Sequence, residues 1–392
     1  MSSLKKFLLV AVLTSVAAAP LAQAVGAALD RATPDCERIY IGTHEQGGMP
    51  SLFTARFNAK DGSFSAAAGV ASIERPTWLV KDAARPVVYA VSEIGNDGAS
   101  QGKVYSLRID PDTGALAEIS SVGSGGGGPT HLALDSRSHS LLVANFGTGQ
   151  VAALQIDDGN NLLGPASVVN DAGSGPTARQ RGPHAHGVVI DPAGRFALVP
   201  DLGADRLFVY RFDGARRILS PAAVPFVQLP AGTGPRHLVF SPDGSYAYLL
   251  AELTGDLYVY AWDAGRGTLQ TVQTLSTLAV HYQGQISAGE IIISNHGKRL
   301  YVSNRGDDTI VVYQVAPRTG RLTELQRLPS VGINPWHLVL SPAQQWLLAA
   351  NEASNAVASF RVGTDGRLAA TNNRLSVAKP VNIVFAGSCA IR

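Results

Sequence analysis

A unit of about 50 residues recurs seven times along this chain, and repeats of that length made of short strands specify a β-propeller. One signature opens an apolar run. It reads Gly128-Pro129-Thr130-His131-Leu132, Gly234-Pro235-Arg236-His237-Leu238 and Asn334-Pro335-Trp336-His337-Leu338, with weaker copies starting at Arg75, Ala185, Ala288 and Lys379. A second signature is a turn leading into leucine, as in Thr113-Gly114-Ala115-Leu116 and Thr319-Gly320-Arg321-Leu322. Apolar residues come in runs of three to five between Gly, Pro, Asp and Asn, and no long stretch keeps a helical period. The expected fold is all-β, a seven-bladed propeller over 39–392.

The first 24 residues read as an export signal. Lys5 and Lys6 precede the apolar stretch Phe7 to Val16, and Ala22-Gln23-Ala24 is a small-x-small cleavage site. Residues 25–38 form a short lead that contains Cys36. Removing 1–24 takes away two lysines and no acid, so the formal charge drops from +2 to zero. Such a chain has no overall attraction for nucleic acid, and no other segment is suited to stable membrane insertion. The expected location is the periplasm or the exterior.

The ends of the chain supply a test of ring closure. The last apolar run, Val381 to Phe385, has no second strand after it, and the first, Ile39 to Gly42, has no first strand before it. Joined, they make the seventh blade. The only cysteines, Cys36 and Cys389, then meet where a hairpin loop would be, and in an oxidising compartment they are expected to form a disulfide.

In each blade, strands one and two are antiparallel, so the start of one and the end of the other share an edge. Seven such edges surround one axis. First strands bring Thr130, His131, His184, His186, Arg236, His237, Glu290, Trp336, His337 and Asn382 to this rim. Second strands bring His44, Glu93, Asn145, Asp201, Glu252, Asn304, Arg305 and Glu352. His131, His237 and His337 share one repeat position, which points to a shared structural role. Residues that break the repeat are the stronger functional candidates. Arg236 and His186 stand where other blades have Thr77, Thr130 or Trp336, and Arg305 takes the slot of Glu252 and Glu352. Two arginines can hold a carboxylate or stabilise an oxyanion, and a nearby His or Glu can take a proton from water. That constellation suits opening of an ester or lactone. A rim that binds without turnover fits the same residues. His184-Ala185-His186 could offer two imidazoles to a metal, but no third ligand is evident, so neither metal nor cofactor is expected. The run Gly123 to Gly128 leads into a strand and not a helix, which argues against a dinucleotide site.

Several stretches taken together are far more specific than a generic propeller repeat: Arg179-Gln180 with Pro183-His184-Ala185-His186, Asp201-Leu202-Gly203, Gly234-Pro235-Arg236-His237, Ala251-Glu252-Leu253 and Ser303-Asn304-Arg305-Gly306. Through them the mature chain resembles the seven-bladed propeller lactonases, a family that includes bacterial 6-phosphogluconolactonase and the fungal carboxy-cis,cis-muconate lactonising enzyme. The resemblance implies a metal-free site for lactones or carboxylated substrates made of His186, Arg236, Glu252 and Arg305, with His184 as the alternative histidine. Asp201, His237, Asn304, Glu93 and Trp336 are the expected substrate-binding neighbours. One family member opens a lactone and another closes one, so a muconate-type cycloisomerase is a further alternative. Two departures favour an unphosphorylated substrate: the export signal, and Trp336, which replaces an arginine found in many relatives.

Overall fold

The computed structural model describes residues 35–46 and 49–389; the expected signal and most of the lead lie outside them. Seven four-stranded antiparallel sheets follow one another around the ring. We number the blades in chain order: blade 1 over 79–123, blade 2 over 129–170, blade 3 over 189–228, blade 4 over 235–276, blade 5 over 288–329 and blade 6 over 335–376. Blade 7 combines Pro380–Ser388 with Cys36–Thr43, Leu52–Asn58 and Ala68–Ala71.

Sequence pattern explains the layering. Second strands such as Trp346–Asn351 are buried along their whole length and read as unbroken apolar runs, because each is covered by a neighbouring blade on both faces. Outer strands such as Leu368–Ser376 carry mostly small or polar residues and are largely exposed, with Leu368 and Leu375 turned into the core. The core is therefore a set of seams between blades. In one seam Leu142, Ala144 and Val151 of blade 2 meet Ala197, Val199 and Phe208 of blade 3.

The second sequence signature has a steric cause. Its glycine adopts a left-handed conformation, φ 65° at Gly320, and a Cβ there would lie 2.4 Å from the ring of Tyr246 on the preceding blade. Only glycine permits both the turn and the close approach. Tyr301 uses the same contact differently, donating its hydroxyl to the carbonyl of Gly366 on the next blade at 3.0 Å.

The ring closes as expected. Ile39, Tyr40 and Ile41 pair with Phe385, Val384 and Ile383. The first strand begins at Cys36, upstream of the expected start at 39, because the final strand extends far enough to pair Ser388 with Glu37. Cys36 and Cys389 are disulfide-bonded, with Cα atoms 5.4 Å apart, and fasten the two ends of the propeller.

Candidate active site

The strand edges that converge on the axis form two mouths of one central channel, and the mouths differ in chemistry. At one, the first strands present aliphatic side chains, among them Val80, Val239, Ile292, Val339 and Val384. At the other lies a cavity of about 200 Å³ lined by Arg75, Arg179, Arg236, Arg305, Glu93, Glu252, His44, His186, His237, Trp336, Phe146, Thr77, Thr130 and Trp78. Between them stand His131, His237 and His337 with Trp78. The Trp78 ring is 4.1 Å from His131 and 5.2 Å from His237, centroid to centroid. Burial drives all three imidazoles below the ordinary histidine range, so they are neutral.

Glu252 is the centre of the polar mouth. It follows the second strand of blade 4, and its amide bonds the carbonyl of Gly234. Four cationic or potentially cationic side chains reach its carboxylate from three successive blades. Arg305 Nη2 lies 2.7 Å from Oε2, Arg236 Nε 3.2 Å from Oε2, Arg179 Nη1 2.7 Å from Oε1 and His186 Nε2 3.6 Å from Oε2. Burial alone would raise the Glu252 pKa, but the charges of Arg305, Arg236 and Arg179 outweigh it and hold the group well below the carboxylate range. Glu252 is therefore a fixed anion.

Arg236 sits deepest. Its Nη1 donates to the carbonyl of Gly289 at 2.5 Å and touches Nδ1 of His237 at 3.0 Å. That same nitrogen is 2.9 Å from Oε1 of Glu290. Burial, and then the charge of Arg305, push Arg236 down to about 10, so it remains a cation at neutral pH. Arg305 also donates to the carbonyl of Ala288, and its guanidinium lies 4.3 Å above the Trp336 ring, in cation–π range. His186 is pushed well below its usual pKa by burial and by the neighbouring Arg236 and His237, only partly offset by Glu252. It is a neutral imidazole whose Nδ1 has no protein partner.

Of the residues expected at this rim, His186, Arg236, Glu252, Arg305, His237, Glu93 and Trp336 line the one cavity. His184, Asp201 and Asn304 do not; of the other rim positions, His131, Glu290, His337 and Asn382 border the aliphatic mouth, and Glu352 pairs with His44 and Asn334 beside the cavity. His184 stacks on Phe146 at 4.6 Å and contacts its carbonyl through Nδ1 at 2.7 Å, so the two imidazoles of the short motif point to separate tasks. Asp201 and Asn304 stand one residue before the slot that faces the axis, and a one-residue step along a strand turns the side chain to the other face. Asp201 accepts the amides of His184 and Ala204 at 2.9 and 2.7 Å. Asn304 binds the carbonyl and hydroxyl of Thr277. Asp201 thereby holds the segment that carries His186, and Asn304 ties its strand end to the loop after blade 4. The rim position of Asn145 is likewise taken by the next residue, Phe146.

Arg179 is the principal addition. It lies on a single helical turn, Ala178–Gln180, inside the long insertion before blade 3. Gln180 anchors that turn by donating to the carbonyl of Leu202 and to Asp205 Oδ1. The insertion lies outside the strand edges that repeat from blade to blade, although the pair Arg179-Gln180 is part of the family-like sequence. Among the described residues no group of three or more His, Cys, Asp or Glu side chains is arranged to hold a metal ion.

Residues 38–385 match the family described as lactonase, 7-bladed beta-propeller. The chain belongs to that family. A solved structure described as the periplasmic gluconolactonase of Pseudomonas aeruginosa superposes with a TM-score of 0.84 at 33% identity, covering 91% of this chain and all of that one. A putative 6-phosphogluconolactonase from Bacteroides fragilis gives 0.81 at 27% identity, over 90% and 98% of the two chains. The 6-phosphogluconolactonase of Bacillus subtilis is 28% identical over 348 residues, 88% of this chain and 97% of that protein.

Proposed function

We propose that this family member is an exported lactone hydrolase and that His186, Arg236, Glu252 and Arg305 form its active site. The observation that carries the reading is a buried anion, Glu252, bound to Arg179, Arg236 and Arg305 and set beside a neutral imidazole. An acyl oxygen that gains negative charge needs fixed cations close by, and Arg236 and Arg305 are held rigidly by the carbonyls of Gly289 and Ala288.

In the proposed reaction His186 takes a proton from water as the oxygen attacks the lactone carbonyl carbon. The carbonyl π electrons move onto oxygen, where the arginines stabilise them. Collapse of that species breaks the ring C–O bond, and the proton returns from the imidazolium to the departing ring oxygen, giving a hydroxy acid. Glu252 stabilises the transient imidazolium and fixes the arginines. It does not itself carry the proton, because the surrounding cations hold it in the ionised state.

A structural disulfide fits an oxidising compartment, as does the likeness to a protein described as a periplasmic gluconolactonase. Export and the stacking of Trp336 on Arg305 both favour an unphosphorylated sugar lactone over a phosphorylated one. The test is proton release from a panel of sugar and aliphatic lactones above the rate without enzyme. Turnover that disappears in Arg305→Ala supports the hydrolase. Silence across the panel with a lactone that still raises Tm would show a binding protein instead, and loss of muconate-type diene absorbance would show a lactonising enzyme.

A further inference from the structure

Five of the seven blades enter their first strand through a residue in the left-handed region. These are Arg75, Gly128, Gly234, Asn334 and Lys379, at φ 47°, 63°, 62°, 60° and 41°. The carbonyl of each accepts the amide of the residue that ends the neighbouring second strand: Glu93, Phe146, Glu252, Glu352 and His44 respectively. Glycine suits this position because it lacks a Cβ, and asparagine tolerates it, but a long side chain is strained there. Of the two long side chains, Lys379 lies at the surface, 54% exposed, beside Glu45. Arg75 instead turns into the candidate active site.

Arg75 Nε donates to the carbonyl of Glu93 at 3.1 Å, and Nη2 lies 3.4 Å from Glu93 Oε1. Asn96 donates to the same Oε1 at 2.8 Å. The geometry points to Arg75 as a specificity-determining residue that, paired with Glu93, recognises the hydroxyl groups of a polyhydroxylated lactone. The reasoning rests on the lactone-opening reading of the cavity. Arg75 supplies donors and Glu93 acceptors, which is what a hydroxyl needs. Because Glu93 already balances the guanidinium charge, the pair matches an uncharged polyol better than an added anion. It enters the cavity from the segment before blade 1, and its side-chain bonds go to Glu93 and not to the Glu252 cluster, so it grips the substrate without entering the chemistry.

The experiment compares wild type, Arg75→Asn and Arg75→Gly on two lactones, D-glucono-1,5-lactone and the unsubstituted δ-valerolactone. Both replacements accept the left-handed conformation, which offsets part of the cost of leaving Glu93 without its cation, so Tm is expected to stay within about 5 °C of wild type. KM for gluconolactone is expected to rise about 10–100-fold, with kcat within about threefold of wild type and δ-valerolactone kinetics unchanged. Equal losses on both lactones, a loss confined to kcat, or no loss at all would overturn the assignment. A fall in Tm of more than about 5 °C in both variants would contradict the strained position. Wild-type inactivity on both lactones would instead overturn the hydrolase reading, and this assignment with it.

Discussion

Arg305 reaches Glu252 across a blade boundary, with Nη2 2.7 Å from Oε2 and both side chains buried. Arg236 and Arg179 complete the shell. The carboxylate acts as the hub of an ion cluster assembled from segments far apart in sequence, and it fixes the cations that the proposed chemistry uses.

Replacing that hub has a stability consequence as well as a kinetic one. Glu252→Gln keeps the shape and removes the charge, leaving Arg236 and Arg305 as neighbouring buried cations. Breaking a buried ion cluster by removing one partner costs about 3–5 kcal/mol. Urea unfolding of the variant is expected to show a loss in that range together with loss of turnover. A variant as stable as wild type would contradict the hub role.

The two histidines of the His184-Ala185-His186 motif are expected to separate kinetically. His186→Ala removes the proposed proton acceptor and should lower kcat about 10²–10⁴-fold. His184→Ala loses the stacked contact on Phe146 and the bond to its carbonyl but no contact with the Glu252 cluster, and should keep turnover within an order of magnitude. The pH profile gives the sign. His186 must be neutral to act, and its pKa is depressed by burial and by Arg236 and His237. Wild-type kcat/KM should therefore be flat near pH 7 and fall only as pH drops through an inflection below the usual value of 6.5. An inflection above 7 would exclude this base.

A second pH effect lies outside the site. Glu37 is buried in the first strand, with Oε2 lacking a protein partner, and desolvation pushes its pKa up from 4.5 to about 7. Between those values the folded chain holds more protons than the unfolded chain, so stability falls as pH rises through this window. The penalty above pH 7 is at most about 3 kcal/mol. Glu37→Gln is expected to raise Tm at pH 8 relative to wild type and to leave it nearly unchanged at pH 4. The same gain at both pH values would contradict a titration origin.

The Cys36–Cys389 bond closes a chain segment of 353 residues. Restricting the unfolded chain to that extent contributes at most about 6 kcal/mol in the chain-entropy limit. The double variant Cys36→Ser, Cys389→Ser should unfold at lower denaturant by an equivalent of about 2–5 kcal/mol and keep its site geometry, since the β pairing of Tyr40 with Val384 persists without the bond. An unchanged midpoint would show that the sheet alone holds the ring.

Much of this organisation was legible in the chain itself. Repetition exposed the blades, and the strands missing at each end exposed the closure and the cysteine pair. Residues out of step with the repeat, such as Arg236 and Arg305, led to the Glu252 cluster. Where the reading slipped, the cause was local. Asp201 and Asn304 belong to the right strand ends but to the wrong face, because side chains alternate at every residue. Arg179 sits in an insertion and Arg75 at a left-handed turn ahead of the first strand, and neither position is fixed by strand periodicity.

The most direct measurement is proton release from D-glucono-1,5-lactone by the purified mature protein and by Arg305→Ala, with unfolding curves for both. The account predicts enzymatic ring opening by wild type and a fall of about 10²–10³ in kcat for the variant with its fold intact. A folded Arg305→Ala protein that opens the lactone as fast as wild type would contradict it.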